Sequence, residues 1–255
     1  FRLYPEEYGP RLFELLGWEG GRGVKHFEHT AMTEGAPVLS VRDLHFPALP
    51  PMTFDIRRGE IAFLRDENYN TGRRLHECFL GDRGWTSGFF RLNGRLYQPG
   101  DLGRVIGSEI GIQIERPDHP GGVLFDNMTA LDNLCTSLIP KAGQHIIRKK
   151  IVSSILSEAL RWFPKEMLLQ PLSSWSYPER LRFSYYRWYL LNPRLLICFF
   201  PFAGQESTHH KMIIDLLVLC AQRGMAVWII SSGIDAICKK TDNEEFLRRL
   251  HYLNK

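Results

Sequence analysis

The sequence lacks any long hydrophobic segment. No uncharged apolar run in its 255 residues approaches the roughly 20 residues that a bilayer-spanning helix needs, so we expect no direct insertion into a membrane. Cysteine is sparse as well: the five cysteines are odd in number, widely spaced and form no CxxC pair. This spacing argues against a disulfide framework and against a metal site, and it predicts buried free thiols.

A concentrated basic face is also missing. The net charge is only +4, and the 32 basic and 28 acidic residues are spread along the chain. Nucleic-acid-binding domains usually gather positive charge on one face, so no nucleic-acid partner is expected. Residues 180–187 do mix basic and aromatic side chains, but their spacing fits better with an amphipathic helix that packs its aromatics inward.

What the chain does contain is an alternation of short apolar runs and helical stretches. Four runs predict buried strands: 61–64, 110–114, 195–200 and 227–230. Four stretches predict helices: 73–80 closed by Gly81, 179–191, 209–222 and the whole of 140–170. Residues 38–46 alternate like a strand at an exposed sheet edge. Strands and helices in this order predict an α/β fold with a largely parallel sheet.

The first 36 residues differ from the rest. An apolar stripe at helical spacing in residues 1–17 predicts a short amphipathic helix, and the glycine-rich polar stretch after it predicts a linker. We therefore expect an N-terminal helix and linker over 1–36 and a folded domain over 37–255.

Several segments share a family pattern when they are considered together. The stretch WSYPERLRFSYYRWYLLNPRLLICFFPF (175–202) fits, without a gap, the frame LSGGEQ…LLLNPRLLILDEPT, and 204–232 ends in WIISS. In the N-terminal half, the segments APVLSVRDLHF, FDIRRGEIAFL, WTSGFFRLNGRLY and GIQIERPDHPGGVLFDNMTALDNL occur in the matching order. Over about residues 37–240 the chain thus resembles an ATP-binding cassette of ABC transporters, most closely the second cassette of sugar importers.

This resemblance implies an architecture and a setting. The fold would be a P-loop NTPase-like α/β cassette with a mostly parallel sheet core, an N-terminal antiparallel β part and a helical subdomain at about 128–180. The protein would be cytoplasmic, or peripheral at the inner face of the cell membrane. Its implied partners are another ABC cassette, a transporter membrane subunit or a second copy of itself.

The resemblance also marks the loop that would hold the phosphates of ATP. Where the family has GxxxxGK[ST], this chain has RDENYNTGRR (65–74). Without a gap, the family's glycines become Asp66, Tyr69 and Thr71, and its lysine becomes Gly72. Asp66 and Glu67 then place negative charge where phosphates would lie, which Coulomb repulsion opposes.

Four residues remain as nucleotide-binding candidates. A one-residue shift puts Gly72 and Arg73 on the Gly-Arg pair of sugar-importer second cassettes, although the hydroxyl for Mg²⁺ is then missing. Arg73 and Arg74 could bind an anion at the helix N-terminus, or they could form a solvated basic turn. Phe46 could stack an adenine, or it could be a core residue at the end of a strand.

The positions for metal and proton chemistry have been replaced. The family's Mg²⁺ ligand and catalytic base fall on Phe199 and Phe200, and phenylalanine can neither ligate a metal nor accept a proton. The switch histidine falls on Ser232, the Q-loop glutamine near Glu115 and the D-loop aspartate on Glu206. No catalytic residue is therefore expected.

The signature loop is altered as well. Its serine is kept as Ser176, but the two glycines fall on Tyr177 and Pro178, and Glu179 follows. Pro178 has no backbone N–H, and both side chains crowd a position that needs close approach to a phosphate.

These losses predict a degenerate cassette, or pseudo-ATPase, that acts as a non-catalytic partner or regulatory subunit linked to sugar-type ABC transport. We expect it to need no cofactor, with ATP and Mg²⁺ bound weakly or not at all. Two alternatives stay open: a weakly nucleotide-binding cassette that completes a composite ATPase site with an intact partner, and a repurposed anion or nucleotide sensor.

Overall fold

The computed structural model describes residues 35–81, 84–115, 124–142, 149–203 and 207–253. The helix and linker predicted for residues 1–36 lie, up to residue 34, outside the described residues. The chain divides into two compact units. The smaller contains the described residues 124–142 and 149–176, and the larger contains all the other described residues.

Nine strands and nine helices are assigned within the described residues. In chain order they are β1 (Leu39–His45), β2 (Met52–Ile56), β3 (Ile61–Arg65), α1 (Asn70–Leu80), β4 (Ser87–Leu92), β5 (Arg95–Tyr97), α2 (Pro99–Leu102), β6 (Ile110–Ile114), α3 (Ala130–Ala142), α4 (Lys149–Ala159), α5 (Lys165–Leu168), α6 (Tyr177–Leu191), β7 (Leu195–Phe199), α7 (Ser207–Gln222), β8 (Ala226–Ser231), α8 (Ile234–Cys238), α9 (Glu244–Arg249) and β9 (Leu250–Tyr252).

The first sheet of the larger unit is antiparallel, with the strand order β2-β1-β4-β5. Strand β1 pairs with β2 on one side and with β4 on the other, so the prediction that it lies at an exposed edge is wrong. Its alternating pattern has another cause: Leu39 and Val41 are fully buried on one face, while Ser40 and Arg42 are partly exposed on the other.

The second sheet is parallel, with the order β6-β7-β8-β3-β9. Every residue of β7 and β8 is buried, which explains why both strands read as continuous apolar runs. The four predicted strands are present, and the predicted α/β architecture with a mostly parallel sheet and an antiparallel β part is confirmed.

The predicted helices are present, but they begin earlier than expected. Helix α1 starts at Asn70 rather than residue 73, and it ends at Gly81 in the left-handed conformation (φ 85°) that glycine adopts readily. Helices α6 and α7 each start two residues early. Polar first turns carry no apolar periodicity, so the sequence pattern does not mark them.

Helix α6 packs its aromatic side chains inward, as the amphipathic interpretation of residues 180–187 predicts. Tyr185 and Tyr186 are completely buried, and the guanidinium of Arg187 lies 4.5 Å above the ring of Trp188. Burial lowers the pKa of Arg187 to about 10. Tyr185, Tyr186 and Arg187 therefore belong to the core, whereas Arg182 of the same helix is exposed.

The regular elements in the described part of the smaller unit are helices. In its core, the ring of Phe163 packs against that of Trp175 with 5.5 Å between the ring centroids. The Trp175 indole N–H donates to the Met167 carbonyl at 3.2 Å. The region 140–170 is not helical throughout, because Leu160–Pro164 separates α4 from α5. Residues 177–180, placed in the helical subdomain by the resemblance, open α6 of the larger unit.

The described helices and the cysteines bear on two expectations from the sequence. No helix among the described residues combines the length and the apolar composition needed to cross a bilayer. All five cysteines are free, and three of them are buried. Burial raises the pKa of the Cys78, Cys135 and Cys220 thiols to about 12, so these thiols remain protonated at neutral pH.

Substitution of two glycines, Gly88 in β4 and Gly94 in the turn that follows it, tests how closely β4 packs against β1. A methyl group on Gly88 (φ 84°) would lie 2.1 Å from the carbonyl oxygen of Asp43, whereas one on Gly94 (φ 78°) would meet nothing within 4 Å. Gly94→Ala should cost about 1–2 kcal/mol of unfolding free energy from backbone strain alone. Gly88→Ala adds a steric clash and should cost at least about 3 kcal/mol. Urea unfolding followed by circular dichroism measures both, and equal losses would contradict the packing of β4 on β1.

Candidate functional site

The candidate site lies where the parallel strands of the larger unit end. Strands β3, β6, β7 and β8 all present their carboxyl ends at the same edge, and their last residues lead directly into Asp66, Glu115, Phe200 and Ser232. Helix α1 begins at the same edge. In open α/β sheets this edge is where ligands bind, and a helix N-terminus there favours anions.

The loop between β3 and α1 closes on its own carboxylate. The amide N–H groups of Thr71 and Gly72 donate to the two carboxylate oxygens of Asp66, at 3.3 and 2.7 Å. Asp66 is only 5% exposed, and its own amide donates to the Ser231 carbonyl at 3.0 Å. Two of the first three amides of α1, those of Thr71 and Gly72, are therefore already bonded to a side chain of the protein.

The ring of Phe200, which follows β7 on the far side of β8, lies against Gly72 of the same loop. Its Cζ lies 2.6 Å from the position that a Cβ would take on Gly72, so only glycine fits there. The ring also packs against Tyr69, with 4.6 Å between centroids. Both residues have left-handed backbones, with φ 52° at Phe200 and φ 58° at Tyr69. The face of the loop at Gly72 is thus filled by an aromatic side chain.

Phe199 is the last residue of β7 and lies one strand position before Phe200. Its ring is 1% exposed and meets the edge of the His76 ring at 5.6 Å. In the described part of the chain, no three His, Cys, Asp or Glu side chains come together in a way that could hold a metal ion.

A buried polar cluster lies below the end of β6. The Gln113 amide donates to Glu115 at 2.7 Å and to Ser184 at 3.0 Å, and it accepts from the Trp188 indole at 2.8 Å. Gln113 is fully buried and Glu115 is 3% exposed. Glu115, at the Q-loop position, is therefore turned into the protein, where it contacts Gln113.

The two candidate arginines do not converge on the loop. Arg74 pairs with Glu77 at 3.2 Å, three residues further along α1. Arg73 is exposed, and its backbone amide donates to the Tyr69 carbonyl at 3.2 Å. Gly72 is the one nucleotide-binding candidate whose backbone faces the interior of the loop, and Asp66 takes its hydrogen bond.

Phe46 lies in the core. Its ring is 2% exposed, so it offers no face for an adenine, and the hypothesis that it stacks a base does not hold in this structure. The alternative interpretation of Phe46, a core residue at the end of a strand, agrees with its burial directly after β1.

The signature-like residues open α6. Tyr177 is the first residue of that helix, and its ring packs against His209 of α7 at 5.5 Å. Ser176 and Pro178 are exposed, and Glu179 lies in the first turn. The aromatic ring of Tyr177 thus stands where the family has a glycine.

The remaining two altered positions are less informative. Ser232, at the switch position, is partly exposed, and its carbonyl accepts from Ser231 at 3.3 Å. Glu206, at the D-loop position, lies outside the described residues.

An open cleft of about 740 Å³ adjoins the loop. Its walls are polar and apolar in nearly equal parts. They are formed by Ala48 and Leu49, by residues 65–68, 70 and 71, and by Tyr252. Arg65 pairs there with Asp235 and lies 3.8 Å from Glu67. Sequence reasoning missed Tyr252, because only the pairing of β9 with β3 brings it here. It also missed the hydrogen bonds of Asp66, although an aspartate shortly before a helix is a recognisable capping signal.

Gln113 allows a test of the buried cluster. Gln113→Ala removes three hydrogen bonds and leaves buried polar groups without those partners, so it should cost about 2–4 kcal/mol of unfolding free energy. The exposed Gln98 provides a matched control, and Gln98→Ala should stay within about 0.5 kcal/mol of the parent. Urea unfolding measures both. Similar small losses in the two variants would show that the cluster does not stabilise the site.

Comparisons with known proteins agree with this architecture. No protein-family profile matches the chain. It is 25% identical over 212 residues to a putative ribose/galactose/methyl galactoside import ATP-binding protein of Pseudomonas syringae pv. tomato, a match that covers 82% of this chain and 40% of that protein. The chain therefore spans well under half the length of the curated relatives that it matches first.

Solved structures give the same fold. CbiO1 of Clostridium perfringens, part of the ABC transporter complex cbiONQ, superposes with a TM-score of 0.65 at 19% identity, covering 86% of this chain and 85% of that one. The dimeric ABC transporter cassette MJ0796 gives a TM-score of 0.60 at 16% identity, covering 84% and 94%. The chain therefore has the fold of an ABC ATP-binding cassette, and its sequence is similar to those of sugar-importer ATP-binding proteins.

Proposed function

We propose that this cassette is a pseudo-ATPase, a non-catalytic partner or regulatory subunit in sugar-type ABC transport. The observation that carries the proposal is the filled phosphate loop: the Asp66 carboxylate holds the amides of Thr71 and Gly72, and the Phe200 ring lies against Gly72. A nucleotide phosphate would need the same space and the same hydrogen-bond donors.

The residues present do not fit Mg-ATP. Hydrolysis needs oxygen ligands for the metal, a group that positions or deprotonates water, and a cation at the phosphates. Phe199 and Phe200 occupy the positions of the first two, and Gly72 or Arg73 that of the third. Loss of one transition-state donor typically lowers a rate by about 10²–10³-fold, and such losses do not simply add. Replacement of the metal ligand and the base together supports a cassette without turnover.

Electrostatics opposes phosphate binding in the same loop. Two unit negative charges about 4 Å apart repel by about 4 kcal/mol at an effective dielectric constant of about 20. A phosphate at the Thr71 and Gly72 amides would meet the buried Asp66 carboxylate at comparable range, so Asp66 would have to leave first. Arg74 gives little compensation, because it is already paired with Glu77.

The partner role rests on the similarity to import ATP-binding proteins together with the cassette fold of the described residues. The proposed partners are an intact cassette, a transporter membrane subunit or a second copy of this chain. Any of these would place the protein in the cytoplasm or at the inner face of the cell membrane. A composite ATPase site is less well supported, because the signature loop is what this chain would donate, and Pro178 offers no N–H there.

Calorimetry with Mg-ATP tests the proposal. The full 255-residue chain should show no saturable heat up to about 1 mM nucleotide, because the loop is occupied and no metal ligand is available. It should also release no phosphate above the buffer rate. An intact sugar-importer cassette, measured in parallel, serves as the positive control. Micromolar affinity with measurable turnover would overturn the proposal.

Mixing experiments separate the partner roles. An intact sugar-importer cassette is mixed with the parent chain or with its Pro178→Gly variant, and the ATPase rates of the two mixtures are compared. If the chain is a non-catalytic subunit, the two rates should be equal, because its signature loop takes no part in hydrolysis. A rate that rises on mixing and rises further with Pro178→Gly would instead favour the composite site.

A further inference from the structure

We propose that Asp66 is a built-in substitute for a bound phosphate, which keeps the start of α1 in its folded conformation without any nucleotide. The inference deepens the proposed function and rests on it. It concerns how the loop is kept in shape, whereas the proposed function concerns whether the loop binds and hydrolyses ATP.

The first support is the hydrogen bonding at the start of α1. The helix is 11 residues long, its N-cap residue Tyr69 makes no side-chain cap, and its first turn has no acidic residue. Helix N-termini carry partial positive charge and amides that need an acceptor. Asp66 supplies both the negative charge and the acceptor, through the amides of Thr71 and Gly72.

The second support is the way in which the sheet positions this carboxylate. Arg65 pairs with Ser231 at the end of β3, and the next amide, that of Asp66, donates to the Ser231 carbonyl. Phe200 is tied to the neighbouring strand end, since its amide donates to Ile230 at 2.8 Å. The carboxylate is thus fixed by the core at 5% exposure, unlike a solvated surface cap.

The third support is the similarity between the Asp66 carboxylate and a phosphate as hydrogen-bond acceptors. A carboxylate presents oxygen acceptors to two successive amides, as a phosphate does in an open loop of this kind. Removing the side chain while keeping the backbone would leave two amides without an acceptor. Phe200 would still limit the space next to Gly72, so the largest opening requires both side chains to be removed.

Thermal unfolding of full-length variants tests the inference, with inorganic phosphate and pyrophosphate as probes against chloride at equal ionic strength. The variants are Asp66→Gly, Asp66→Asn, and Asp66→Gly combined with Phe200→Ala. Glu67→Gln is the matched control, because it removes a neighbouring negative charge from a side chain that lines the same cleft and lies 3.8 Å from Arg65.

The parent and Glu67→Gln should unfold at the same temperature with phosphate as with chloride. Asp66→Gly should unfold several degrees lower and recover part of that loss with phosphate in a saturable way, and the double variant should recover more at lower phosphate concentration. Asp66→Asn keeps one acceptor oxygen and should lie between the parent and Asp66→Gly. Equal phosphate response in the parent and in a folded Asp66→Gly would overturn the inference, as would a response in Glu67→Gln that matches Asp66→Gly.

Amide hydrogen exchange on the unmodified protein covers the case in which Asp66→Gly does not fold. Without ligand, the Gly72 amide should exchange at least tenfold more slowly than an unstructured peptide, because it is bonded and buried. Exchange at the peptide rate would overturn the inference even if the protein hydrolyses no ATP. Conversely, measurable ATP turnover in a protein with a protected Gly72 amide would overturn the proposed function and leave the geometry of Asp66 intact.

Discussion

The parallel pairing of β3, β7 and β8 determines where every residue of the candidate site lies. Register places Arg65 beside Ser231 and Phe199 beside Ile230, so Asp66 and Phe200 leave the same edge of the sheet from the two strands that flank β8. Because both strand ends are held by backbone hydrogen bonds, the carboxylate and the ring enter the same small space at the start of α1. The filled loop is thus a property of the sheet, and it does not depend on a mobile surface segment.

Much of the fold could be predicted from the sequence, because buried parallel strands read as uninterrupted apolar runs. Residues 61–64 and 227–230 are such runs, and both are strands of the second sheet. The same reasoning failed for β1, since alternation shows that one face is buried and carries no information on whether a strand has one neighbour or two. It also missed β9, a three-residue strand in a charged segment that owes its conformation to β3.

The candidate site, like the fold, could be predicted from the sequence only in part. In the structure, Phe199 ends β7, Phe200 follows it, and Tyr177 begins α6, which is the order of elements that the spacing of the family pattern predicts. The directions of the side chains depend on backbone that spacing does not reveal. Tyr69 and Phe200 adopt positive φ without being glycine, and those two residues bring the ring onto Gly72. From the sequence, Asp66 could therefore be interpreted only as a charge that repels phosphate. The structure adds that its carboxylate accepts the hydrogen bonds of two loop amides.

The order of strands has a consequence for how the chain folds. Strand β3 lies between β8 and β9, so Ile61 pairs with Val227 and with Leu250. During synthesis from the N-terminus, the strand that leads into Asp66 is made early but has no neighbour in its sheet until the last part of the described chain has been made. Contacts this distant in sequence form slowly. Until they form, the apolar run at residues 61–64 is an exposed strand edge, and its protection from aggregation depends on what binds it in the meantime.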